Sequence, residues 1–359
     1  MVKTIAFYLP QFHPIPENDE WYGAGFTEWT NVAKAKPLFR GHYQPHIPAD
    51  LGFYDLRLEE TRRAQSELAL QYGISAFCYW HYWFGNGKQL LEMPIWKMHE
   101  DPAIKIPFCI AWANESWQNK LWDSKGNNKL LIEQQYLGAE DYKNFFYTLL
   151  PLFKDCRYYR IDDKLLFIVH RPLNCKDDEM KSFIETWRQL AQKENIGDFY
   201  FIGEDKLCAN RDKILNLGFD ATVDVNLNGI VKKSSFLNRA RLHFARSILH
   251  HPSIFQYKKA IKFMVTDSCK EENIFPTIAP NWDHSPRSGR KALLFDNCEP
   301  RYFQKLIEKT LDLIKHKDPE HQIVFIKSWN EWGEGNYLEP DLKYGRGYLE
   351  ALKKVLNYK

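Results

Sequence analysis

Eight short apolar runs, rich in β-branched and aromatic residues, most constrain how this chain of 359 residues can fold. Each run leads into a polar or aromatic cluster and then a stretch with helical periodicity, which favours a parallel sheet. Eight such units predict an α/β fold closed into a (β/α)8 TIM barrel, which needs roughly 250 residues and tolerates long loops. We expect a single domain over residues 1–359. The predicted strands are residues 4–9, 74–79, 106–111, 165–169, 199–202, 221–225, 275–279 and 323–327.

Two long segments interrupt this pattern, after the first and the sixth predicted strands. Residues 11–55 are rich in Pro, Gly, Trp and His, and their aromatic content argues against disorder. Residues 226–266 form a basic insertion without Asp or Glu. This insertion is either the solvated face of a helical segment or a contact surface for an anionic glycan, a lipid-linked glycan or a membrane. Its cationic residues are Lys232, Lys233, Arg239, Arg241, Arg246, Lys258, Lys259 and Lys262, interleaved with Phe236, Leu237, Phe244, Ile248, Leu249, Ile254 and Phe255.

The composition favours a glycan over a nucleic acid as the partner. The net charge of +3 gives no reason to expect nucleic acid, whereas aromatic residues make up 15% of the chain. Many of them stand beside Gly, Asn, Glu and His, which is typical of a cleft whose rings pack on sugars. The seven Cys lack metal-binding spacing and are expected to be reduced. Without a signal segment or an apolar run of roughly 20 residues, the sequence predicts a cytoplasmic location, or a periplasmic or secreted one if a signal has been removed.

The strongest local signal is a pair of carboxylates, Glu331 and Glu334, directly after the eighth predicted strand. In a barrel this position is the C-terminal face, where active sites lie. Cleavage of a glycosidic bond needs two carboxyl groups, and neighbouring Glu residues raise each other's proton affinity, which helps one stay protonated. We predict that both are catalytic, the alternative being ordinary surface-loop residues. Asn330 is expected to bind a sugar hydroxyl, and Glu339 to bind substrate.

Polar and aromatic residues also follow the other predicted strands. Because all the strand ends meet at one barrel face, these residues predict a binding site there. Residues 79–84 are six consecutive aromatic residues, which fit neither a helix face nor an alternating strand. At any single position a structural role is at least as plausible as a functional one. The predicted substrate-binding residues are Tyr8, Gln11, His13, Trp29, Trp80, His81, Tyr82, Trp112, Asn114, Glu115, His170, Trp282, Arg287, Asn330, Trp332 and Glu339.

The sequence gives no reason to expect a metal or another cofactor. It has no HExxH motif, and Pro45 between His42 and His46 argues against a helical pair of metal ligands. It has no P-loop and no GxGxxG motif after a strand, which argues against a nucleotide cofactor. No DxD-type element for a metal–nucleotide-sugar complex follows a strand, because Asp162 and Asp163 precede the fourth one.

Four motifs together resemble the WbsX-like family, whose members occur among polysaccharide and O-antigen biosynthesis genes and are similar to glycoside hydrolase family 99. The motifs span nearly the whole chain: residues 8–14 (Tyr-Leu-Pro-Gln-Phe-His-Pro), 25–31 (Gly-Phe-Thr-Glu-Trp-Thr-Asn), 80–83 (Trp-His-Tyr-Trp) and 329–335 (Trp-Asn-Glu-Trp-Gly-Glu-Gly). Family 99 contains endo-α-mannosidases and endo-α-mannanases. The resemblance implies a (β/α)8 barrel that acts on α-linked sugars with retention and without a metal.

The resemblance also implies how the two carboxylates divide the chemistry. Carried over from the Asn-Glu-Trp-x-Glu-Gly motif of the hydrolases, Glu331 takes the proton of the sugar 2-OH, which attacks the anomeric carbon to give a 1,2-anhydro sugar. Glu334 protonates the leaving group and then activates water. Gly333 departs from the motif, because the hydrolases commonly have His there. This departure weakens any transfer of mannose specificity, and a rhamnose-type sugar is an alternative.

Three functions are consistent with the sequence. The first is a metal-independent, family-99-like glycoside hydrolase (EC 3.2.1.-) that cleaves α-linked bonds of a polysaccharide. The second is a glycosyltransferase or transglycosylase in O-antigen or capsular polysaccharide biosynthesis. The third is a non-catalytic barrel that binds glycans. A glycan is the expected partner in all three.

Overall fold

The chain forms a closed barrel of eight parallel strands, seen in a computed structural model that describes residues 2–118, 129–206, 208–233, 235, 242 and 251–357. Strands that follow one another along the chain pair in parallel, and β1 closes the ring by pairing with both β2 and β8. The predicted TIM barrel is therefore confirmed. Its strands are β1 Lys3–Tyr8, β2 Ala76–Trp83, β3 Phe108–Trp112, β4 Lys164–Val169, β5 Phe199–Asp205, β6 Ala221–Asp224, β7 Ile274–Ile278 and β8 Ile323–Ile326.

Helices follow each barrel strand. Their apolar residues recur at helical spacing, so each helix buries one stripe of side chains; Pro300–Ile314 buries Phe303, Leu306 and Ile307 in this way. The helices after β1 to β8 are, in order, Glu59–Gln71, Met93–Glu100, Ala139–Phe153, Asp177–Lys193, Arg211–Leu215, Gly229–Lys233 with Tyr257–Met264, Pro300–Ile314, and Gly347–Asn357. Shorter helices lie in the loops at Pro16–Tyr22, Glu28–Lys34 and Ser285–Ser288.

Strand β2 is buried on both faces, because side chains fill the barrel and helices cover its outside. It includes residues 79–83, so the prediction that the strand ends at residue 79 and that the aromatic cluster follows it is wrong. Trp80 and Tyr82 face a cavity at the end of the barrel. His81 and Trp83 instead stack on Phe145 of an outer helix, with ring centroids 5.7 and 4.6 Å apart.

The described part of the basic insertion packs on the barrel. Its strand Ser253–Gln256 pairs in parallel with Leu293–Asp296, and its helix Tyr257–Met264 packs against Pro300–Ile314. Within the described part of the chain, no helix has the length and apolar character needed to cross a membrane. The predicted contact surface stays a prediction, because many of its residues lie outside the described ones: Phe236, Leu237, Arg239, Arg241, Phe244, Arg246, Ile248 and Leu249.

Candidate active site

A cavity of about 490 Å³ opens where the C-terminal ends of the barrel strands meet. Its volume is in the range of sites that bind small molecules. Side chains from the ends of several strands converge on it, as expected for this fold. The predicted site residues that line it are Gln11, Trp80, Tyr82, Glu115, His170, Arg287, Glu331 and Glu334.

A tight hairpin after β8 holds the two carboxylates. Asn330–Glu331 pairs antiparallel with Asn336–Tyr337, and the Glu331 backbone N–H donates to Ser328 Oγ at 3.0 Å. Gly335 closes the turn with a φ of 52°, and a Cβ on it would lie 2.9 Å from backbone atoms of Asp283. Glycine is therefore required there both by its φ and by the close approach of the neighbouring loop.

A single guanidinium, that of Arg287, holds the two carboxylates together. Its Nη1 lies 3.2 Å from Glu331 Oε1 and 2.7 Å from Glu334 Oε1. These two oxygens are therefore no more than about 6 Å apart, close to the spacing of paired catalytic carboxylates. On its other side, Arg287 Nε donates to Glu28 Oε1 at 2.9 Å. His284 Nε2 adds a contact of 3.3 Å to Glu334 Oε1.

The two carboxylates differ in their charge environment. Burial and the neighbouring charge of Glu334 raise the pKa of Glu331 above its ordinary value. Burial alone would also raise the pKa of Glu334, but Arg287 and His284 outweigh it and hold that pKa well below its ordinary value. Glu331 Oε2 is buried and has no hydrogen-bond partner among the described residues. Of the two side chains, Glu331 therefore holds a proton more readily.

Replacing Arg287 with methionine is expected to lower the free energy of unfolding by about 3–5 kcal/mol near neutral pH, because buried carboxylates lose their shared cation. In the wild type, the pKa of Glu334 is lower in the folded state than in the unfolded state. Glu334 therefore stabilises the fold above its unfolded-state pKa, and this stabilisation is lost as the pH falls. In the variant, the carboxylates repel each other and their folded-state pKa values rise. The variant then loses stability as the pH rises through those values. Urea unfolding should show a deficit that grows from about pH 4 to about pH 7.

The matched control is Arg188→Met, which removes a guanidinium from another pair of carboxylates. Arg188 contacts Asp198 at 2.6 Å and Asp220 at 2.7 Å, away from the cavity. Its side chain is more exposed than that of Arg287, so we expect a smaller loss of stability. A deficit in Arg287→Met that does not change with pH would contradict the role assigned to Arg287.

Glu28 occupies the space beside Gly333. A Cβ at position 333 would lie 1.7 Å from Glu28 Oε1 and 3.0 Å from Arg287 Nε. Glu28 is buried, and its Oε1 also accepts a hydrogen bond from Asn31 Nδ2 at 3.2 Å. The glycine that departs from the family-99 motif therefore leaves the space that the ion pair between Glu28 and Arg287 occupies in this chain.

The ends of β3, β4 and β5 bring a second charged group to the cavity. His170 Nδ1 bonds to Glu204, and Lys206 Nζ lies 2.9 Å from His170 Nε2. Arg171 Nε donates to Glu115 Oε2 at 2.9 Å. Burial alone would raise the pKa of Glu204, but His170 and Lys206 lower it to about 2, so Glu204 is ionised. The charged group formed by His170, Glu204 and Lys206 therefore has hydrogen bonds of its own, separate from those around Arg287.

Ten of the predicted substrate-binding residues lie outside the cavity, and two of them tie the carboxylate loop to the barrel. Asn330 is fully buried; its Nδ2 donates to the Leu9 carbonyl at 3.0 Å, and its Oδ1 accepts from the Leu9 N–H at 2.7 Å. Glu339 accepts from Tyr54 at 2.9 Å and Gln65 at 2.7 Å, and burial raises its pKa to about 7. Because these polar atoms have internal partners, the expected role of the two residues in binding sugar stays a prediction.

The other eight also lie outside the cavity lining, and their role in binding substrate likewise stays a prediction. Three donate hydrogen bonds into the buried network around Glu339: Tyr8, Trp29 and Trp332. Three have side chains directed at outer helices or neighbouring backbone: His81, Trp112 and Asn114. His13 is buried, and burial lowers its pKa to about 4. Trp282 lines a second, smaller pocket.

Several cavity residues were not predicted individually, because a single charged residue near a strand end is a weak signal. The available clue was their place at or shortly after the end of a predicted strand, as for Arg171, Lys206 and Lys327. In residues 2–118, 129–206, 208–233, 235, 242 and 251–357, no group of three or more His, Cys, Asp or Glu could hold a metal ion. The unpredicted polar and aromatic lining residues include Glu28, Trp117, Arg171, Lys206, His284 and Lys327.

Solved structures share this fold. The family 99 endo-α-mannosidase from Bacteroides thetaiotaomicron superposes with a TM-score of 0.58 at 14% identity, covering 99% of this chain and 96% of that one. A structure described as a glycoside hydrolase-like protein gives a TM-score of 0.59 at 14% identity, covering 98% and 93%. At this identity the likeness shows the fold alone.

Sequence comparison identifies the family. "Uncharacterized protein WxcX" of Xanthomonas campestris pv. campestris (strain B100) is 37% identical over 357 residues. The match covers 98% of this chain and 49% of that protein, so the chain spans about half the length of this relative. The family model described as "Glycosyltransferase WbsX" matches residues 4–352. The chain therefore belongs to the WbsX family, as the sequence motifs indicate.

Proposed function

We propose that this protein is a retaining glycoside hydrolase that cleaves α-linked bonds in a polysaccharide of mannose- or rhamnose-type sugars. The observation that carries the proposal is the placement of Glu331 and Glu334 on one guanidinium at the barrel-end cavity. The oxygens on Arg287 are at most about 6 Å apart, so both carboxyl groups lie close enough to act on the same glycosidic linkage. Family and fold together support a glycoside-processing enzyme.

In the proposed mechanism the nucleophile is the substrate's own 2-OH. Glu331 takes the 2-OH proton as O2 attacks the anomeric carbon, and Glu334 gives its proton to the leaving oxygen. Water then attacks the anomeric carbon of the 1,2-anhydro sugar, giving one proton to Glu334, while Glu331 returns its proton to O2. Two inversions give net retention, and both carboxyl groups return to their starting states. Glu331 lines the cavity, where its carboxylate would accept the 2-OH proton.

The charge environment favours the reverse division of roles. The mechanism starts with a proton on Glu334 and none on Glu331, whereas Arg287 and His284 keep Glu334 ionised. Two strongly interacting carboxyl groups titrate as a pair, so a single shared proton serves either arrangement. The turnover of a substrate with an activated leaving group by Glu331→Gln and by Glu334→Gln distinguishes the two arrangements.

A panel of bacterial polysaccharides and α-linked oligosaccharides tests the proposed hydrolysis. We expect the wild-type protein to release new reducing ends from at least one glycan, with the first-formed product in the α configuration by NMR. A β product would contradict retention. Binding of these glycans without any product would instead support a non-catalytic barrel.

The family description favours a second candidate, a glycosyltransferase or transglycosylase. The same two carboxyl groups could activate a sugar hydroxyl instead of water. Saturable binding of a sugar nucleotide by calorimetry, together with a transfer product and no hydrolysis, would place this candidate first.

A further inference from the structure

Lys327 is a buried cation that the proposed mechanism does not use. It directly follows β8, is 8% exposed, and lines the cavity. Its ammonium makes a cation–π contact with the ring of Trp80 at 5.6 Å, but no hydrogen bond or ion pair with any residue that the structure describes. Burial alone would lower the pKa of Lys327, but Glu204, Glu331 and Glu334 together raise it, so it stays charged. A charge in a cavity wall that has an aromatic ring but no hydrogen-bonding or ionic partner gains such a partner when an anion binds.

Lys206 provides a second cation at the same cavity. Its Nζ lies 2.9 Å from His170 Nε2 and 4.0 Å from Glu204 Oε1, which fixes the ammonium at the end of β5. Burial, and then the neighbouring charges of Lys327 and Arg171, lower the pKa of Lys206, although Glu204 opposes them. Two lysines that repel each other across a cavity form an arrangement that an anion would relieve.

We propose that the cavity contains a subsite for an anionic substituent of the glycan, a carboxylate or a phosphate group, bound between the ammonium groups of Lys206 and Lys327. The identification of the ligand as a glycan rests on the proposed function. It narrows the substrate class from neutral to acidic saccharides. Such a group would supply the ionic partner that Lys327 lacks among the described residues.

The carboxylates beside Lys327 do not remove the need for such a partner. Glu331 and Glu334 both have Arg287 as their contact cation, and neither reaches Lys327 within 4.0 Å. Glu204 bonds to His170 behind the cavity wall. A simpler explanation is that Lys327 only balances the charge of Glu331 and Glu334. In that case, replacing Lys327 should not change the preference of the cavity for an acidic sugar over a neutral one.

Calorimetric binding at low ionic strength tests the subsite with glucuronate, glucose 6-phosphate and glucose as probes. We expect at least one anionic probe to bind the wild-type protein at least about tenfold more tightly than glucose does. Lys327→Met and Lys206→Met should each reduce this preference to about onefold while glucose binding persists, which also shows that the variants are folded. The probe with the larger preference identifies the group as carboxylate or phosphate.

Lys305→Met is the matched control, because Lys305 is exposed on the outer helix Pro300–Ile314. It should keep the full preference. No preference in the wild-type protein, no measurable binding of either anionic probe, or a preference that survives in both cavity variants would overturn the subsite. Because only binding is measured, a clear preference without turnover of any glycan would leave the subsite standing and overturn the hydrolase.

Discussion

Glu334→Gln and Glu331→Gln are each expected to lower turnover by about 10²- to 10⁴-fold on any glycan that the wild-type protein cleaves. Glutamine keeps the shape of the side chain but neither gives nor takes a proton. Thermal melts must accompany the assay, because both residues contact Arg287. Glu60→Gln, exposed on the helix Glu59–Gln71, is the matched control and should keep full turnover. Undiminished turnover in Glu334→Gln would contradict the assignment.

An activated leaving group then assigns the two roles. In a dinitrophenyl glycoside of the same sugar, the dinitrophenolate leaves without being protonated. A variant that lacks only the general acid should therefore regain the first step. Recovery in Glu334→Gln would support the roles implied by the family resemblance. Recovery in Glu331→Gln would support the reverse, which the raised pKa of Glu331 favours. The 2-deoxy form of the same glycoside should be inert in the wild-type protein, because it lacks the 2-OH nucleophile.

The barrel could be predicted from the sequence because its signal is local and is repeated eight times. Each apolar run needs only its own residues to be identified as a strand. The bounds were less accurate where strands enter the cavity. Strand β2 continues to Trp83, although its last residues look like a loop cluster, because those side chains are buried on both faces of the sheet.

The carboxylate pair could be predicted for a similar reason, but its partners could not. Glu28 and Arg287 are 259 residues apart in sequence and meet only when the loops after β1 and β7 come together. Asn330 shows the converse. An Asn after a strand looks the same in sequence whether its amide reaches a sugar or, as here, the backbone of Leu9. Only the three-dimensional contacts distinguish a ligand-binding residue from one that supports the loop.

Gly333→Ala is expected to destabilise the protein by about 3 kcal/mol, the upper end of the usual effect of overpacking, and to lower turnover strongly. The backbone at Gly333 does not have a positive φ, so alanine introduces no backbone strain there. The added Cβ would instead lie 1.7 Å from Glu28 Oε1 and must displace that carboxylate. Arg287 then loses one of its three ion-pair partners, and its position against Glu331 and Glu334 changes.

Glu28→Ala should compensate for Gly333→Ala, because it removes the atoms that the new Cβ meets. In a double-mutant cycle followed by urea unfolding, we expect a favourable coupling of about 1–3 kcal/mol between the two positions. Gly335→Ala is the matched control: its φ is 52° and its contacts include the Asp283 backbone, so Glu28→Ala cannot relieve it. Equal coupling at positions 333 and 335, or none at 333, would mean that Glu28 does not account for the glycine. Strong coupling at 333 alone would show that the Glu28 side chain is what excludes a Cβ at position 333.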